Sequence, residues 1–81
     1  MSPLTRIPPL LARITTLEGH AAALQSAFRS EALKAEAQVV LATLSVAADD
    51  LRGEPSDAAV TEVEARLEVI AKRLSRLGQA T

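Results

Sequence analysis

The sequence predicts an all-α fold, an antiparallel helical hairpin of one long helix and a shorter C-terminal one, closing into a three-helix bundle or an oligomeric helical bundle. Three observations predict it. Apolar residues recur by threes and fours from Leu10 to Leu51 and again from Val60 to Leu77, the period of a helical face, and strand alternation is absent. Gly53 and Pro55 form the clear break between the two runs. Finally, Glu31–Leu51 carries two apolar stripes where a surface helix carries one, so it needs two partners.

The expected order is a single domain over 1–81: an N-terminal extension at 1–7, one long helix or two helices over 8–52, a turn at 53–56, a second helix at 57–78 and a tail at 79–81. Pro8 and Pro9 suit a first helical turn, where their missing N–H donors would be unpaired anyway. From there Leu10, Ile14, Leu17, Ala21, Leu24 and Phe28 form one face. Gly19, or Ser26 and Ser30 as helix caps, could interrupt the run.

In Glu31–Leu51 the larger stripe is Leu33, Ala37, Val40, Leu44, Ala47 and Leu51; the smaller is Ala32, Ala35, Val39, Ala42 and Val46. Their centres lie roughly 140° apart at about 100° per residue. If the same count runs unbroken through residues 19–31, the Leu10–Phe28 stripe points the same way as the smaller stripe, which favours one long helix. After the turn, capped by Ser56 or Asp57, Val60, Val63, Leu67, Ile70, Leu74 and Leu77 match the larger stripe in length. The short turn makes these two helices antiparallel. That pairing leaves the Leu10–Phe28 and Ala32–Val46 residues open, either to a fold-back of the N-terminal segment or to a partner; these eleven are the candidate partner-binding residues.

Composition excludes more than it selects. An 81-residue chain with one phenylalanine and no tryptophan, tyrosine or cysteine builds a thin core, and such scaffolds often gain stability by associating. A net charge of -1 provides no field for nucleic acid or an anionic membrane. No signal-peptide-like or membrane-spanning apolar run is present, so a cytoplasmic, membrane-free protein is expected. His20 is the lone histidine and has no metal-binding companion, Ser26, Ser30, Thr43 and Ser45 have no His/Asp partner at a recognisable spacing, and the acids around the turn lack the alternating ligands of a calcium loop. The expectation is a non-enzymatic protein–protein interaction module with no cofactor, metal or small-molecule substrate, self-associating or binding a partner helix. A small dimeric nucleic-acid-binding protein using Arg66, Lys72, Arg73 and Arg76 is the alternative.

The opening Met1-Ser2-Pro3-Leu4-Thr5-Arg6-Ile7, a long helix, the Asp50–Ala58 turn DLRGEPSDA and a shorter leucine-patterned helix together resemble the small helical co-chaperones of type III secretion systems, the YscE/SsaE-like group. The resemblance implies a protein that pairs with a second small chaperone to keep an aggregation-prone needle subunit soluble. Separately, the acidic turn followed by VEARLEVIAKRL at Val63–Leu74 resembles the helical dimerisation hairpin of polyketide-synthase docking regions, which implies a docking element of a larger assembly.

Overall fold

The computed structural model describes residues 3–79, which form three helices, α1 (Pro3–Ala27), α2 (Glu31–Arg52) and α3 (Asp57–Gln79). They pack side by side into a three-helix bundle 43 Å long and 18 by 16 Å across. Turns and polar contacts give the directions. Short turns join α1 to α2 and α2 to α3, so each side-by-side pair runs antiparallel, and the contacts Gln25 to Gln38 at 3.0 Å and Arg66 to Asp50 at 4.0 Å lie beside those turns. Arg6 pairs with Asp57 and Arg13 with Glu68, so α1 and α3 run parallel.

The central question left by the sequence, one helix or two over 9–51, is resolved as two. Ser30 adopts an extended backbone at φ -76° and ψ 128°; its hydroxyl accepts from the Leu33 N–H at 3.4 Å and its carbonyl from the Lys34 N–H at 3.0 Å. It is the N-cap of α2. Breaking the helix there sacrifices two or three main-chain hydrogen bonds at about 1 kcal/mol each. Folding back buries an apolar face, at about 1.5–3 kcal/mol per fully buried side chain. Burial wins, and the break comes without glycine or proline.

The core is the consequence. Leu10, Ile14 and Ala21 of α1 and Phe28 just after it are buried with Leu17 and Leu24 packed beside them, against Ala37, Val40, Leu44, Ala47 and Leu51 of α2. All six stripe residues of α3, Val60 to Leu77, are buried. The expected α2–α3 pairing therefore exists, but α1 packs on both helices and makes its closest approach to α2. No polar side chain among the described residues is buried.

Several boundaries differ from expectation. The helix starts at Pro3 rather than Pro8, so the supposed extension is helical from residue 3, and Pro8 and Pro9 lie exposed inside α1. Each removes a main-chain donor that the helix would use. Holding Ile7 against the core and Arg6 against α3 offsets that loss. Gly19 does not end a helix: it sits exposed within α1, and Thr15 and Thr16 beside it satisfy their hydroxyls on the Leu11 and Ala12 carbonyls. Gly53 follows α2 at φ -100°, without the left-handed conformation that a C-terminal glycine commonly supplies. Ser56, not Asp57, caps α3, its hydroxyl accepting from the Ala59 N–H at 3.2 Å. Gly78 does not stop α3, which continues to Gln79; the remainder of the expected tail, Ala80 and Thr81, and the first two residues of the expected extension lie outside the described residues.

Candidate functional site

The eleven residues expected to share one open face do not share it. The 100° count assumes helix through residues 28–30, and the extended Ser30 resets it. Leu10, Ile14, Leu17, Ala21, Leu24 and Phe28 are consequently committed to the chain's own core, with Phe28 only 3% exposed. Ala32, Ala35, Val39, Ala42 and Val46 all remain exposed on α2, with Val39 at 53% and Val46 at 55%.

What lies next to that stripe follows from the helix geometry. On α2 the stripe is adjacent to Thr43, which with Val40 forms one wall of an open groove between α2 and α3. Ala65, Val69 and Ile70 of α3 form much of the other wall, and the groove encloses about 460 Å³. The groove exists because α2 and α3 approach one another less than α1 approaches either. Thr43 presents little polarity to it, since its hydroxyl donates to the Val39 carbonyl at 2.9 Å. Val69 is 66% exposed. Sequence reasoning missed it because it falls off the α3 stripe; the available signal was a β-branched apolar residue on an otherwise charged face, 300° of helix turn before the cation at position 72.

Charge is arranged around this groove in two ends. Near the turn, Arg66 pairs with Glu62 at 2.6 Å and approaches Asp50 at 4.0 Å, and Asp49 pairs with Arg52 at 3.3 Å, which relieves the two aspartates at the unfavourable end of the α2 dipole. Toward the other end, Val69, Lys72, Arg73 and Arg76 border a smaller hollow of about 270 Å³. Glu68, four residues before Lys72 on α3, pairs across the bundle with Arg13 at 2.9 Å. Lys72, Arg73 and Arg76 have no ion-pair partner among the described residues.

The other singled-out residues serve the fold or face solvent. His20, Ser26 and Ser45 are exposed, Ser30 is a cap, and among the described residues no group of three His, Asp or Glu side chains is placed to hold a metal ion. No described helix is long and apolar enough to cross a membrane. Fold and face together define a class, a small all-α three-helix bundle with an apolar groove along one helix pair. No family profile matches the chain, and neither does any curated protein or any solved structure.

Proposed function

We propose that this chain is a non-enzymatic protein–protein interaction module whose α2–α3 face receives a helical partner. The observation that carries the reading is the exposure of Val39, Val46 and Val69 together with the alanines at 32, 35 and 42, beside a groove floored by Val40 and Ile70. A bundle that buries six apolar positions on α3 and leaves three valines in water has apolar surface available for a partner. The shape suits an amphipathic helix laid between two antiparallel helices, with alanines permitting close approach. A secretion co-chaperone of the kind that the sequence resembles would work in this way, its partner being a second small helical protein.

The test is a photo-reactive amino acid placed at Val46 or Val69 of the full chain in its native cell, with Ala23, exposed on the far side of α1, as control. The reading expects protein adducts, identified by mass spectrometry, from Val46 and Val69 and none from the control. Val46 and Val69 sites that yield no more adduct than Ala23 would refute it.

The unpaired Lys72, Arg73 and Arg76 favour a second reading, nucleic-acid binding by that flank. Binding of duplex DNA that weakens steeply with salt and is lost in Arg73→Glu supports it; no binding at low salt removes it.

A further inference from the structure

The occupant of the groove can be specified further, on the reading that the α2–α3 face is where partners bind. The face is electrically divided along its length. At the turn end, Asp50, Glu54 and Glu62 outnumber Arg66 by two; at the opposite end, Lys72, Arg73 and Arg76 outnumber Glu36 by two. Along α3, Glu62 and Arg76 stand about 21 Å apart at 1.5 Å per residue. That exceeds the Debye length of about 8 Å at physiological salt, so within one chain the two ends scarcely neutralise each other. The apolar residues Ala65 and Val69 lie between them, with Val40 and Thr43 across on α2.

We infer that the α2–α3 face is covered by a second copy of this chain, related by a two-fold axis crossing the face near Thr43 and Val69. Such an axis reverses the direction of the face, laying the basic end of each copy over the acidic end of the other and the valines against one another. A partner with the same charge order along the groove would instead set acid on acid and base on base. The self-complementary pattern is what an isologous contact requires.

The area is consistent with a reversible dimer. The face is about 33 Å long, the length of a 22-residue helix, and at most 18 Å wide. This gives at most about 600 Å² per copy and at most about 1,200 Å² in all, the lower edge of specific interfaces. An interface of that size with screened ion pairs at its ends forms in the micromolar range and weakens with salt.

Sedimentation equilibrium of the purified full chain, followed by interference optics because tryptophan and tyrosine are absent, tests this. The wild-type chain is expected to dimerise at micromolar concentration and to dissociate more readily in 0.5 M than in 0.05 M NaCl. Val69→Asp should raise the dimer Kd by at least about 30-fold, since a two-fold axis counts each change twice, whereas Ala23→Asp should leave it unchanged. The decisive pair is a charge swap. R73E/R76E and D50K/E54K should each be monomeric alone and should form a heterodimer when mixed in equal amounts, with circular dichroism confirming that both are folded. A wild-type chain that stays monomeric to high micromolar concentration, a dimer indifferent to Val69→Asp, or a charge-swapped mixture that fails to associate overturns self-association. A monomer whose Val46 and Val69 positions nevertheless cross-link a different protein in the cell overturns the second copy while sustaining the interaction-module reading.

Discussion

Replacing Gly19 with alanine should stabilise this protein, and the size of the gain can be worked out beforehand. Gly19 lies in the interior of α1, exposed, and a Cβ built there meets no atom within 4 Å. There is nothing to clash with and no packing to gain. What remains is the intrinsic difference between glycine and alanine in a helix interior, about 0.8–1.0 kcal/mol in alanine's favour, because glycine loses more backbone freedom on folding. For a domain of this length, about 1 kcal/mol corresponds to a rise in Tm of roughly 4–8 °C. Thermal and urea unfolding followed at 222 nm by circular dichroism measures both, at two chain concentrations so that any association shows as a concentration dependence. The outcome also discriminates between two structures. If α1 ended at Glu18 with Gly19 in a left-handed terminal conformation, alanine would be strained and the change would destabilise. A Tm that is unchanged or lowered refutes the continuous α1 and with it the register of the whole N-terminal face.

Three further outcomes follow from the same physics. Ser30→Ala removes the hydroxyl that accepts from Leu33 and should cost about 1 kcal/mol, read as a lower urea midpoint with unchanged slope. Phe28→Ala empties the largest side chain at the α1–α2 corner and should cost about 3–5 kcal/mol, enough to lose most of the helical signal at 37 °C in a chain with so thin a core. Arg13→Ala breaks an exposed pair with Glu68 and should cost no more than about 1 kcal/mol, a deficit that shrinks in 0.5 M NaCl; a larger, salt-independent loss would mean that the arginine stem is packing rather than pairing.

The leucine-rich face of α2 and the whole stripe of α3 were legible because each lies within one uninterrupted helix, where periodicity alone fixes which residues point inward. The α1 stripe was legible as a stripe and misassigned as a direction. Phase carries through a helix but not through Phe28–Ser30, and the turn there is made by a serine cap without the glycine or proline that usually announces one. The prolines misled in the opposite sense: they commonly open helices, and here tertiary contacts through Arg6 and Ile7 hold a turn of helix ahead of them. On the candidate face, the Ala32–Val46 residues were visible in the α2 pattern, but their conjunction with Val69 depends on how far apart α2 and α3 stand. That spacing is set by where α1 wedges, a property of three helices together that no single stripe encodes.

Pro8 and Pro9 also divide α1 in time. A helix ladder transmits stability from residue to residue through its amide protons, and two consecutive positions here have none to contribute. Residues 10–27 therefore share the protection of the bundle, while residues 3–7 form a separate opening unit whose tethers include the Arg6 ion pairs to α3 and the packing of Ile7 on the core. Within this unit only the Ile7 amide has a helix carbonyl four residues back to bond, so in amide hydrogen exchange it is the proton that should report the opening, exchanging well ahead of the core amides. Each such opening frees Asp57 at the α3 N-terminus and Glu64 about two turns further along, and briefly changes the charge that this end of the rod presents to its surroundings.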